Sequence, residues 1–187
     1  MYYNPYLNPY YYYAHGPMYS YGREYGCWSN PGGMEQVNNF YPVRASSNDG
    51  NITLKDYGRQ PFVVNINEAS KLNNTYRTAL WTGKHLQVTL MSLKVGEDIG
   101  LEMHPNVDQF LRIEQGQGIV QMGKRKEDLN FVRNVSDDSA IMVPAGTWHN
   151  VTNTGNIPLK LYSIYAPPNH PFGTVHRTKA EAIAEEG

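Results

Sequence analysis

The sequence predicts an all-β domain, built as one compact closed β architecture, preceded by a non-globular arm and followed by a short helix. Three observations carry this. From about Asn51 the chain runs in short alternating or apolar segments separated by turn signals, which is the texture of a sandwich or barrel. Of the 15 tyrosines, 11 fall in the first 42 residues, so the aromatic content belongs to a tail and not to the fold. At 187 residues the chain holds one ordinary domain and an appendage, not two full domains.

Residues 1–49 form the arm. It carries Pro5, Pro9, Pro17, Pro31 and Pro42, is rich in Gly and Asn, and up to residue 42 has Arg23, Glu24 and Glu35 as its charged residues. Prolines at this density block helix and ladder, and too few Leu, Ile and Val are present to offset chain entropy. The segment is nevertheless dense in side chains that stack and hydrogen-bond. Two roles follow from composition: a disordered extension, or an adhesive arm that orders against a neighbouring subunit. Cys27 closes no intramolecular disulfide, although it offers an inter-chain link in an oxidising environment.

Residues 50–176 are expected to make the β domain. Candidate strands are Pro61–Ile66, Arg77–Thr82, His85–Val95, Gly100–His104, Gln109–Glu114, Gly118–Met122, Asn130–Asn134, Ala140–Val143, Trp148–Asn153 and Leu159–Ala166. Gly96, the Gln115-Gly116-Gln117-Gly118 run, Pro144-Ala145-Gly146 and Asn153-Thr154-Gly155-Asn156 supply the turns between them. A helical turn is expected around Asn67–Leu72. The segment from Tyr165 to His176, punctuated by Pro167, Pro168 and Pro171, reads as extended and too irregular for a strand. Residues 177–187 begin with Thr178 and place Glu181 at capping-box spacing, which predicts a short exposed helix.

Charge excludes some functions. A net charge of −1 without a basic block argues against a nucleic-acid binder. No run approaches 18 apolar residues, so no membrane span is expected. The first residues have neither a basic stretch nor a continuous apolar stretch, so they do not read as a secretory signal and the chain is expected to be cytoplasmic as synthesised.

Two segments carry metal-site spacing. In Gly96-Glu-Asp-Ile-Gly-Leu-Glu102-Met-His104, residues two apart share a strand face, so Glu102 and His104 point inward together while Met103 points away. In Pro144-Ala-Gly146-Thr-Trp-His149-Asn-Val-Thr-Asn153, a Pro-x-Gly turn delivers His149 at the start of a strand. These segments resemble the two motifs of the cupin superfamily, G-x5-H-x-H-x3,4-E-x6-G and G-x5-P-x-G-x2-H-x3-N. The likeness spans residues from about 84 to 166. It matches Gly96, His104 and Gly116 in the first motif, and Pro144, Gly146, His149 and Asn153 in the second, with Asp138 at the leading glycine position. Glu102 stands where the first histidine is expected and Gln109 where the glutamate is. Asp108 fits the glutamate place at the shorter spacing, but puts Gly116 out of register, which favours Gln109.

The resemblance implies a cupin-type β-barrel, a double-stranded β-helix or jelly roll. It also implies a divalent transition metal, iron, manganese, nickel or zinc, held by Glu102, His104, Gln109 and His149. Two imidazoles and one carboxylate suit an open site, with Gln109 as a weak fourth ligand or an outer hydrogen-bond partner. The alternative is an inward polar network without metal. With metal, the chemistries implied are isomerase and dioxygenase work on a small molecule. Phosphosugar recognition needs a cation near the motif, and Arg112 points away from Gln109 by parity. His85 is expected at the surface, and His170 and His176 are expected to pack structurally. The family also implies a homo-oligomer, a dimer or a larger assembly through the arm. The arm's composition resembles that of spore-coat and extracellular layer proteins, so a structural, self-assembling role stands beside the enzymatic one.

Overall fold

The computed structural model describes residues 52–186, and the tyrosine-rich arm predicted at residues 1–49 lies outside them. Nine strands and two helices follow one another along this part of the chain. They are α1 (Ile66–Leu72), β1 (Arg77–Thr82), β2 (Gln87–Leu93), β3 (Asp108–Gln115), β4 (Gln117–Gly123), β5 (Phe131–Ser136), β6 (Ala140–Val143), β7 (Trp148–Asn153), β8 (Leu159–Ala166), β9 (Val175–His176) and α2 (Lys179–Glu186). The strands form two antiparallel sheets, one in the order β6-β3-β8-β2-β1-β9 and the other in the order β5-β4-β7. Their inner faces meet in one apolar cluster. Met91, Leu93, Leu111, Ile113, Leu159 and Leu161 of the larger sheet pack there with Val120, Met122, Val135 and Val151 of the smaller. This is a sandwich, as the alternating pattern predicts, with the two-sheet antiparallel layout that the resemblance implies.

Turn chemistry fixes the register. Gly146 adopts φ 76°, and an added Cβ would meet nothing within 4 Å, so its requirement is conformational alone. Asp138, at the leading glycine position of the second motif, also has a positive φ, 67°. Asp is among the few L-residues that tolerate the left-handed region, and here its carboxylate receives the Arg112 guanidinium at 2.5 Å.

Four sequence expectations are corrected. Pro61–Ile66 forms no strand. Its alternation is real, with Val63 97% exposed, but Phe62, Val64 and Ile66 lie flat on the outer face of the larger sheet, against Leu80 and Leu90. Pro61 has no N–H to give to a ladder, and Asn65 ends the segment by accepting from Glu68 N to cap α1. Gly100–His104 is likewise not a named strand; isolated bridges, Asp98 to Thr152 and Glu102 to His149, tie it to β7. The end of the irregular segment does form a strand, because the two residues of β9 pair with Arg77 and Thr78 of β1. Finally, α2 is only partly exposed: Ala182, at 2% exposure, joins the main core, and Lys179 reaches Asp98.

Among the described residues, no helix is long and apolar enough to cross a membrane.

Candidate metal centre

The predicted inward residues occupy one end of the sandwich. Glu102 and His149 are direct antiparallel partners, exchanging both backbone hydrogen bonds: Glu102 N–H donates to His149 O at 3.1 Å and His149 N–H to Glu102 O at 2.9 Å. Their side chains therefore leave the backbone on the same face. His104 follows two residues later, and its carbonyl accepts from Gly146 N at 2.8 Å, which locks the Pro144–Gly146 turn beside it.

The result is convergence. His104 Nε2 lies 3.4 Å and His149 Nε2 3.3 Å from the same oxygen, Glu102 Oε1, and the candidate ligand atoms of all three residues fall within 4.8 Å of one another. Neither imidazole Nε2 has a hydrogen-bond partner among the described residues, although both atoms are buried. Two donors held about 2.1 Å from one ion, at angles between square and tetrahedral, stand roughly 3.0–3.4 Å apart, which is the spacing of the pair that each imidazole makes with Glu102. His149 is oriented from behind: its Nδ1 donates to Thr147 O at 3.0 Å, which leaves Nε2 as the lone-pair nitrogen facing Glu102. The His104 ring is buttressed edge-on by Tyr165, with centroids 5.8 Å apart.

Glu102 is held as a carboxylate. Burial by itself would raise its pKa, but the two imidazoles beside it, His104 and His149, outweigh burial and lower it to about 2. A ligand must be deprotonated to bind a cation, so the cluster has an anionic donor in place.

Gln109 sits on the inward face of β3, 3% exposed, opposite Tyr165 and Val143. Its Nε2 donates to Ser163 Oγ at 2.9 Å, while its Oε1 is buried without a hydrogen-bond partner among the described residues. Asp108 points the other way and accepts from Ala145 N, so it belongs to the turn. Arg112 also faces outward and pairs with Glu114 and Asp138, as parity predicts. His85 is exposed. His176 is buried, bonded through Nε2 to Glu185. His170 is buried with its ring edge-on to Tyr165 at 5.0 Å.

Residues that sequence reasoning missed complete this end of the interior. Gln87 clamps the loop after β8: its Oε1 accepts from Asn169 N and His170 N, and its Nε2 donates to His170 O. Thr89, Ser163, Tyr165 and Arg77 face inward with it. Period-2 parity within β2 and β8 would have found Thr89, Ser163 and Tyr165.

A two-sheet antiparallel β-helix with imidazoles and a carboxylate converging inside one end defines a cupin-like protein. The chain belongs to the cupin family: the cupin domain matches residues 89–165. It is 70% identical over 186 residues, 100% of both chains, to the uncharacterized protein YrkC of Bacillus subtilis. It is 44% identical to the uncharacterized protein L612 of Acanthamoeba polyphaga mimivirus over 117 residues, 62% of this chain and 71% of that one. Its fold is similar to the crystal structure of BH2720 from Bacillus halodurans, at 68% identity and TM-score 0.69, covering 70% of this chain and 98% of that one.

Proposed function

We propose that the protein is a metal-dependent cupin in which Glu102, His104 and His149 hold a divalent transition metal. In this reading Gln109 is a fourth donor or an outer partner, and a small molecule takes the remaining positions. The observation that carries the reading is the convergence of two unbonded, buried Nε2 atoms on one Glu102 oxygen. A polar network without metal would be expected to align these atoms as hydrogen bonds, because buried polar groups that stay unpaired are costly.

The donor set is that of open sites for iron, manganese, nickel or zinc. Such an ion supplies Lewis-acid polarisation of a substrate oxygen or, as iron, binding of dioxygen. The chain's own part is to hold the imidazoles rigid through Thr147 and Tyr165, and to keep Glu102 ionised. Isomerase and dioxygenase chemistry both fit these parts.

Elemental analysis of the full-length protein, purified without added metal, tests the reading. Stoichiometric metal that falls at least tenfold in His149→Ala supports it. Trace metal that His149→Ala leaves unchanged overturns it.

A structural role remains attached to the arm, whose tyrosines offer large amphipathic contact area at low rotamer cost. Its test is separate: deletion of residues 1–49 abolishes large assemblies in electron microscopy, if the arm forms them, and leaves metal content unchanged.

A further inference from the structure

Gln87 opens β2 on its inward face, fully buried and directly opposite Tyr165 of β8. A primary amide offers two N–H donors and two lone pairs on its oxygen, and here all four are used. Nε2 donates to Thr82 Oγ1 at 3.0 Å and to His170 O at 2.9 Å, while Oε1 accepts from Asn169 N at 3.2 Å and His170 N at 2.9 Å. A carboxylate of the same shape lacks the donors, and an apolar chain of the same length lacks both.

Three of these four bonds go to the backbone of a strap, residues 167–174, that runs from the end of β8 to β9. They fix the path of the chain and not merely one side chain. The far part of the strap is held by the same polar series: Thr82 Oγ1 donates to Asp56 Oδ2 at 2.6 Å, and that oxygen also accepts from Gly173 N at 2.9 Å. Gln87 and Asp56, both distant from the strap in sequence, thus fasten it at two points.

The strap brings one ring to the end of the interior that holds the candidate metal centre. His170 is buried, with its imidazole edge-on to Tyr165, centroids 5.0 Å apart and planes at 89°. Tyr165, itself fully buried, meets His104 edge-on at 5.8 Å and 81°. Rings in edge-to-face contact have a preferred geometry, and a close-packed interior passes a displacement of one ring to the next. His149 stands on the other sheet and is oriented separately, through Nδ1 and Thr147 O. The two imidazoles are therefore set by different neighbours.

We propose that Gln87 is a positioning residue for the candidate metal centre: through the strap, His170 and Tyr165 it sets the imidazole of His104, and it leaves His149 to Thr147. The consequence for metal retention rests on the metal reading, whereas the placement of the His104 ring does not.

NMR of the imidazole resonances in full-length, metal-stripped protein carrying isotope-labelled histidine tests this. Gln87→Met is expected to shift or split the His104 ring signals and to move those of His149 less, and Gln87→Glu to do the same. In a Tyr165→Leu background, adding Gln87→Met should change His104 no further, because the link between them is gone. Leu161→Ala, which destabilises the aliphatic end, should leave both rings in place. In zinc-loaded protein, release of the ion to a chelator should quicken about three- to tenfold in Gln87→Met, short of the tenfold or more that loss of a ligand's direct partner costs. If Gln87→Met does not fold, Thr82→Val, which removes one partner of the amide, is read in the same way. An unmoved His104 ring in the folded variants, equal movement of both imidazoles, or the same shifts in Leu161→Ala would each overturn the proposal. Natural protein that takes up no metal while His104 still follows Gln87 refutes the metal reading alone. Metal uptake with His104 indifferent to Gln87 refutes this proposal alone.

Discussion

The two ends of the sandwich interior differ in kind, and four strands show the change along their own length. Inward residues of β2 run Leu93, Met91, Thr89, Gln87; those of β8 run Leu159, Leu161, Ser163, Tyr165; those of β3 run Ile113, Leu111, Gln109. On β7 of the facing sheet, Val151 precedes His149 towards the same end. One end is aliphatic and closed; the other is polar, with buried donors and acceptors held on rigid strands. The aliphatic end supplies burial free energy and the polar end spends some of it to hold functional groups in unsatisfied positions. The inside of this fold therefore divides labour along the strand axis and not between layers.

The largest expected effect comes from the aliphatic end. Leu161→Ala removes a fully buried side chain between Met91 and Ile113 and is expected to cost about 2–5 kcal/mol in urea unfolding. Metal content per folded molecule should not change. Loss of metal together with stability would show that the two ends are not separable.

Acid should act on the polar end. His170 has a folded pKa of about 3 against an ordinary 6.5, lowered by burial and then by Arg77. The unfolded chain therefore binds the proton first. The stability from a neutral His170 is fully present above pH 6.5 and is lost as pH falls from there towards 3, at up to about 1.4 kcal/mol per pH unit. In His170→Phe this slope should flatten by about one proton between pH 6 and pH 4. An unchanged slope in that window would remove His170 as its source.

A smaller effect, with a sign that reports the site, is expected from Gln109→Glu, which restores the residue common in the cupin motif. Without metal, the substitution buries a second carboxylate in the end that holds Glu102, and thermal stability should fall. Added manganese or zinc should then raise the melting temperature by more than in the natural protein, because a stronger donor faces the ion. A metal-independent change of the same size with and without the ion would place Gln109 outside the centre.

Much of this division was legible in the sequence. Ala140–Val143, Trp148–Asn153 and Leu159–Ala166 have the boundaries that their turn residues predict, and parity alone puts Glu102 and His104 together and Arg112 outside. What sequence could not supply was pairing over long separations. Gln87 is just an amide at the start of a strand until β2 pairs with β8 and sets it against the backbone of Asn169 and His170. Arg77 opens a strand, a place where an arginine is usually solvated; among the described residues β9, two residues long and too short to announce itself, pairs along that edge. Pro61–Ile66 misled because alternation reports one buried face, and packing flat on a sheet satisfies that as well as pairing within one does.

The smallest prediction concerns the turn that leads β6 into the site. Asp138 combines a left-handed backbone with an ion pair to Arg112, whose side chain is 31% exposed while the Asp138 side chain is 82% exposed. Exposed pairs are worth little, so the backbone term should dominate. Asp138→Ala loses the pair and keeps a Cβ in a conformation that costs most L-residues about 1–2 kcal/mol. Asp138→Gly loses the pair and removes that strain, although a more flexible unfolded chain takes back part of the gain. Chemical denaturation should therefore rank glycine above alanine by about 0.5–1 kcal/mol, with metal content the same in both. The reverse ranking would mean that the entropy of the unfolded chain outweighs the strain at this turn.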